Sequence, residues 1–449
     1  MRTYICRALL LITTILVLSP QATPQTSAEE TSSASLFSSE PEPSGPELVE
    51  SPPESIDELQ QRISKILKET HTPGAGVAIA AKDRVIWAAG IGLADVATRA
   101  PVRADTLFRI GAVSQSFVAF SILKLQEQGK LRLSDPVRPL VPDIPFTNPW
   151  RDTNPVRIVH LLENTTGWDD LHLAEYVNND PTPLSLHDGL LLHPDSRISR
   201  WRPGTREAYC NSGAAVAAYI VEKLSGLPYQ DYVAKEFFRP LEMPAATFSE
   251  PDEPRSLTTL YHENGVFPYP YQNLSLRPSG AMNASPAELA HLLQFFLGRG
   301  RYKKKRLLTA ASIERMEHPE STWAVHLGMQ SGYGLSNVVS FGDGLVFHGH
   351  EGSLDGALTD LAYLPEAGIG YVLVMNTSNR GAYQRLVSLL RNYVSEGVPK
   401  AVLPAIATVS ESAVRPFTGY YEPAAPRHEW THGLLRLSGM CSLRWQKDE

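Results

Sequence analysis

Residues 108–118, FRIGAVSQSFV, decide how this chain folds. From residue 114 to 128 the text is mostly apolar, and Gly129 closes it. A helix that is apolar nearly all round belongs in a protein's interior, so this segment is expected at the centre of the molecule. Upstream, residues 77–81 and 85–89 are short apolar runs joined at Lys82-Asp83-Arg84, the pattern of a hairpin. Before them, Ser55 and Glu58 form a capping box. Ile56, Leu59, Ile63, Ile66 and Leu67 then recur on one helical face until Pro73-Gly74. Downstream, 130–330 mixes Pro-rich loops with helices such as 214–224 and Pro286–Leu297. Residues 357–364 and 369–376 are strand-like around the turn residues Pro365-Glu366-Ala367-Gly368, and 382–394 is an amphipathic helix. Strands therefore lie at both ends of the domain with a helical region inserted between them. Hairpin connections imply an antiparallel sheet, since parallel strands need long crossovers.

The chain has 449 residues, 43% hydrophobic and 8% aromatic, enough for one large domain with its own core. Its N-terminus reads as a secretory signal over 1–22: Arg2 and Arg7, an apolar run over 8–18, then a small-residue exit near Ala22 or Ala28. That run is shorter than the roughly 20 residues a membrane span needs. The expectation is a periplasmic or secreted protein with no transmembrane segment after signal cleavage. Cys6 precedes the apolar run and does not fit a lipid-attachment site. The pairing of Cys210 and Cys441 is open from sequence, and Cys210 reads as a small buried residue. Residues 23–54, rich in Ser, Pro and Glu, are expected to form a disordered tether. The net charge of −7 is concentrated there: without two signal Arg and the seven Glu of 23–55, −2 remains. No basic patch points to nucleic acid.

Four blocks carry chemistry-like text. They are PGAGVAIAAKDRVIWAAGIGLADVATRAPVRADTLFRIG (73–111), LLENTTGWDDL (161–171), WRPGTREAYCNSGAAVAAYIVEKLSG (201–226) and GHEGSLDGALTDLAYLPEAGIGYVLVMN (349–376). In this order, over roughly 56–397, they resemble the class C β-lactamase-like serine hydrolases, the penicillin-recognising fold. The resemblance implies an α/β fold of the α+β type. It has an antiparallel sheet flanked by N- and C-terminal helices, plus a helical region, with the site between them. The domain is expected over 55–397. Residues 398–449 form an extension whose FTGYYEPAAPRHEW resembles the start of a β-rich module, here truncated.

The resemblance also implies roles. FRIGAVSQSF is similar to the family's FRIGSVSKSF, so Ala112 and Gln115 stand at the nucleophile and lysine positions. Tyr209-Cys210-Asn211 matches Y-x-N, in which the Tyr oxygen shares the base work and the Asn orients a substrate amide. A Tyr that caps a buried polar network is the alternative reading. His350-Glu351-Gly352 matches K-T-G or H-x-G. His350 is expected beside Tyr209, able to tune it near pH 7. A backbone N–H after Gly352 is expected to join that of residue 112 in an oxyanion hole. Glu351 replaces a residue that would receive a substrate carboxylate. Unless it points away, it should repel penicillin or D-alanyl-D-alanine.

Methyl and carboxamide groups can neither attack nor carry a proton. In an unrelated serine hydrolase, loss of the nucleophile costs roughly a million-fold in turnover. Ser114 is rotated about 200° from Ala112 on a helix, and Ser116 lies one turn on. Ser121-Ile122-Leu123-Lys124 is a literal S-x-x-K, but it lies too deep along the helix, and its Lys is expected to reach the helix end near Gly129. His348 and His350 are a weak zinc pattern. The expectation is an exported pseudo-hydrolase without cofactor or metal, holding a small ester, amide or peptide ligand or an envelope protein partner. The alternatives are an active serine esterase or peptidase with an unorthodox nucleophile, and a purely structural exported domain.

Overall fold

A computed structural model describes residues 51–444 apart from 180–183, 252, 254–255, 343, 402–409 and 439. The expected signal and residues 23–50 of the expected tether lie outside the described residues. Helix α1 (Ile56–Glu69) starts after Ser55 as expected, but only half of the capping box closes. Ser55 Oγ accepts the Glu58 N–H at 3.2 Å, while the Glu58 carboxylate accepts the N–H of Glu54 at 2.8 Å rather than that of Ser55. Leu59, Ile63, Ile66 and Leu67 are buried.

The strands are β1 (Gly74–Ala81), β2 (Val85–Asp95), β3 (Ala100–Pro101), β4 (Gly332–Tyr333), β5 (Val338–Gly342), β6 (Leu345–Leu354), β7 (Ala357–Leu364) and β8 (Ile369–Met375). They form one sheet in the order β4-β5-β6-β7-β8-β1-β2-β3, with antiparallel neighbours throughout. The first and last long strands meet at its centre, with Val77 opposite Leu373. The main helices of the inserted region are α2 (Gln115–Glu127), α3 (Asn211–Ser225) and α4 (Pro286–Leu297), and α5 (Arg380–Val394) follows the sheet.

Alternate strand residues feed two cores. Val77, Ile79, Leu373 and Met375 pack with α1 and α5. Ala78, Ala80, Val372 and Val374 pack with the helical region and α4. Because both faces are covered, the central strands read as unbroken apolar runs rather than an alternation.

Helix α2 is the axis of the second core, with every residue from Gln115 to Leu123 buried. A 3₁₀ turn, Gly111–Ser114, leads into it. Phe120 meets Phe117, Phe237, Phe295 and Phe296 at centroid distances of 5.0–5.7 Å. Truncating such a residue to Ala costs about 3–5 kcal/mol. The literal S-x-x-K on this helix is structural. Ser121 Oγ donates to the Phe117 carbonyl at 2.7 Å. Lys124 does not reach the helix end as expected. Its Nζ pairs instead with the Glu236 carboxylate at 3.1 Å, an opposite charge on a neighbouring helix turn.

In the extension, Gly419–Tyr421 pairs with Cys441–Leu443, and a short helix, His432–Ser438, lies between them. Cys210 is buried, Cys441 is exposed, and neither is in a disulfide. No described helix is long and apolar enough to cross a membrane.

Candidate active site

Two glycines bring the start of α2 against the edge of β6. Gly111 has φ +55°, and a Cβ there would lie 2.9 Å from the Ser353 nitrogen. A Cβ on Gly352 would lie 2.1 Å from the Ile110 carbonyl oxygen. Only residues without side chains allow this approach. Ala112 therefore sits, half-buried, in the turn that faces Gly352 and Ser353, and its carbonyl accepts the N–H of Gln115.

Gln115 opens α2 with its side chain in a polar nest. Nε2 lies 2.6 Å from the Tyr209 hydroxyl oxygen, 3.2 Å from Asn211 Oδ1 and 3.0 Å from the Ser279 carbonyl oxygen. That is three acceptors around an amide with two hydrogens. Tyr209 in turn donates to Asn211 Oδ1 at 3.5 Å. Gln115, Tyr209 and Asn211 thus form one hydrogen-bonded group. Asn211 is also held by Asp170. Its backbone N–H donates to Asp170 Oδ1 at 2.8 Å, and Nδ2 reaches both Asp170 oxygens at 3.1 Å.

His350 joins the group through a residue the sequence reading missed. That residue is Tyr333, its ring 6.0 Å from that of Tyr209 and its hydroxyl 2.6 Å from His350 Nε2. His350 Nδ1 lies 2.6 Å from the Glu351 carbonyl oxygen, which can only accept. The proton of the neutral ring therefore sits on Nδ1, and Nε2 accepts from Tyr333. Burial lowers the His350 pKa to about 4, so the ring is neutral at pH 7 rather than poised between two states. Burial also pushes the Tyr209 phenol well above its usual range, and the Asp170 charge adds to this against the opposing Arg427.

Glu351 points away from this group. Strand alternation puts it with Ser353 on the other face of β6 from His350 and Gly352. It is opposite Asp360, and Ser353 Oγ accepts from Arg380 of α5 at 2.8 Å. The expected repulsion of a carboxylate ligand is removed, because the charge faces the helix layer.

Arg427, from the C-terminal extension, covers the site. Its Nε lies 2.6 Å from Asp170 Oδ2, and its guanidinium stacks 4.7 Å over the Tyr209 ring. Asp170 is buried, which alone would raise its pKa. The Arg427 charge and backbone N–H donors outweigh that, and the net shift is downward. Asp170 lies in the LLENTTGWDDL block, but the sequence gives it no role, and Arg427 lies outside all four blocks. Ser114 and Ser116 are buried, and Ser114 Oγ is tied to the Gly111 carbonyl at 2.6 Å. His348 lies two residues before His350 on the same strand face, but the described residues that gather potential metal ligands are elsewhere: His172, Glu175 and His193.

Gln115, Tyr209, Asn211, Tyr333 and His350 thus gather where the start of α2 meets β6. Residues 59–392 match the Beta-lactamase family, and the chain belongs to it. It is 26% identical over 353 residues to Unguisins hydrolase ungD' of Aspergillus campestris (strain IBT 28561), covering 75% of this chain and 65% of that one. It is 24% identical over 334 residues to Protein flp of Staphylococcus aureus (strain N315), covering 72% of this chain and 64% of that one. The match thus spans less than two thirds of the length of these relatives. Among solved structures, the octameric penicillin-binding protein homologue from Pyrococcus abyssi superposes with a TM-score of 0.64 at 24% identity, over 82% and 83% of the two chains. EstCE1, a hydrolase with promiscuous acyltransferase activity, does so with a TM-score of 0.61 at 21% identity, over 75% and 98%. These likenesses show the fold.

Proposed function

We propose that this protein is an exported, catalytically inactive member of its family that keeps the hydrolase site as a binding site. The observation that carries the reading is the Gln115 amide bound to Tyr209, Asn211 and the Ser279 carbonyl. A neutral amide holds the place of a titratable amine, and residue 112 offers only a methyl group. Tyr209, held protonated by its burial, is a poor base at neutral pH. The ligand class is a small ester, an amide or a peptide, with an envelope protein as the macromolecular counterpart. With Glu351 on the far face of the strand, a carboxylate on the ligand is tolerated. A ligand enters past Arg427. Export rests on Arg2, Arg7 and the apolar run over 8–18.

The test is covalent labelling of the full chain with a fluorophosphonate and a fluorescent penicillin, read by intact mass against a denatured control. No site-specific adduct is expected. A stoichiometric adduct on Ser114 or Ser116 would establish the competing reading, an active hydrolase with an unorthodox nucleophile. That reading draws on the hydrolase names among the relatives.

A further inference from the structure

We propose a binding site for one zinc-class divalent cation at His172, Glu175 and His193, separate from the Gln115–Tyr209 group. Their ligand atoms all lie within 4.8 Å of one another. His172 Nδ1 and His193 Nε2 are 3.4 Å apart. Two nitrogens each about 2.0–2.1 Å from a tetrahedral zinc ion are separated by about 3.3–3.4 Å, so the rings already stand at the edge length of such a site.

The proton inventory points the same way. His172 Nε2 lies 3.0 Å from Asp169 Oδ2, an acceptor, so Nε2 carries a proton. In the neutral ring the Nδ1 lone pair then faces His193. His193 Nδ1 is buried and has no hydrogen-bond partner among the described residues. If His193 donates from Nε2 to His172, that buried Nδ1 is left as an unsatisfied acceptor. If His193 is instead protonated on Nδ1, two lone pairs face each other, and a cation resolves the conflict. The arrangement of carboxylate, histidine and vacant ring nitrogen is the one that orients metal-binding imidazoles, with Asp169 as the orienting carboxylate.

Glu175 supplies the charge. It is fully buried, accepts the His172 N–H at 3.0 Å through one oxygen and Ser196 Oγ at 3.0 Å through the other. Two carboxylate oxygens offer about four lone-pair sites, so capacity remains for a metal. Arg197 is 3.7 Å from Glu175 and Arg200 is 3.6 Å from Asp169. These cations weaken the site relative to an all-thiolate one. His172 is one-third exposed, which gives solvent a path and leaves a fourth position for water. The bound ion would tie residues 169–175 to His193. That segment also carries Asp170, which holds Asn211 and Arg427.

The experiment loads the full chain, stripped with a chelator, with Zn²⁺ or Co²⁺ and desalts it. We expect one equivalent retained, visible ligand-field bands of tetrahedral Co²⁺, and a thermal midpoint that rises with Zn²⁺ concentration. His193→Ala and His172→Gln should each bind at least about tenfold more weakly, and Asp169→Asn about 10–100-fold more weakly. Metal-free circular dichroism and thermal melts identify any variant that fails to fold, and the two histidine variants serve as mutual checks. No retained metal in the parent overturns the proposal. So does unchanged binding in both histidine variants, which would mark the metal as adventitious.

Discussion

Gln115 Nε2 lies 2.6 Å from the Tyr209 hydroxyl oxygen, one helical turn beyond Ala112. A carboxamide thus occupies the place where the family resemblance puts an ammonium group, and it is fully engaged there. The contact joins the start of the central helix to the loop before α3, so it holds the two sides of the site together. It gives Gln115 a packing role that does not depend on catalysis.

Gln115→Leu should therefore destabilise the protein. The substitution keeps similar bulk but takes a donor away from the Tyr209 oxygen and the Ser279 carbonyl. Leaving such groups unsatisfied costs about 1–3 kcal/mol. Urea denaturation measures it, and a change below about 0.5 kcal/mol would show that the amide is not a structural pin.

The pH dependence of stability should carry a histidine component. His160, His348 and His350 are each lowered to about 4, chiefly by burial, from an unfolded value near 6.5. Between these limits the unfolded chain binds more protons, so these groups weaken folding as pH falls from about 6.5 to about 4. Above that window their contribution is constant. The His350 share is about 3 kcal/mol across the full window. His350→Gln, which keeps an acceptor for Tyr333, should flatten the slope of urea midpoints between pH 7 and pH 4 relative to the parent. The comparison is made as a difference because Asp360, raised by burial, slopes the other way. Parallel slopes would refute the assignment.

Arg427→Ala tests the cover. The folded pKa of Asp170 lies below its ordinary value, so its stabilising contribution is present above about pH 4 and is lost as pH falls through the folded value. Removing Arg427 takes away the leading effect that opposes burial, and the Asp170 pKa should rise. The Arg427 side chain is 44% exposed, so water replaces part of its effect, and the loss at pH 7 should be about 1 kcal/mol. The acid unfolding limb should move to higher pH. An unshifted limb would mean that the extension does not rest on Asp170 in solution.

Much of the scaffold is legible before any coordinates. Pro286–Leu297 is read to the residue because Pro suits a first helical position and Gly298 follows the last. The strands at both chain ends are legible because each is an apolar run bounded by turn residues. The phase of β6 was also available: period two puts His350 and Glu351 on opposite faces once the strand is granted. The remaining site residues were hidden by chain distance. Tyr333 meets Gln115 from 218 positions away, and Arg427 meets Asp170 from 257. Neither lies in a motif, and no local periodicity announces such a contact. Arg427 sits in text that reads only as the start of a truncated module.

Repair is the sharpest test of how far the site has drifted. The three acceptors around Gln115 Nε2 suit an ammonium better than an amide, because Lys has three donors and Gln two. Gln115→Lys should therefore be accommodated, and its charge should pull the Tyr209 phenol back down toward a useful range. Ala112→Ser adds one oxygen to a half-buried turn facing the Gly352–Ser353 backbone, where the family resemblance puts an oxyanion hole. Together the two changes should restore measurable hydrolysis of a small ester such as p-nitrophenyl acetate. Each alone should stay close to the parent, since groups that act as a unit are strongly non-additive. With Glu351 turned toward α5, carboxylate-bearing substrates need not be excluded. Adding Arg427→Ala should raise the restored rate further if the extension limits entry. A folded double variant with no turnover above the parent would mean that the Asn211–Asp170 side of the site has been rebuilt for binding, because the acceptors for Lys would then be present without a productive substrate pose.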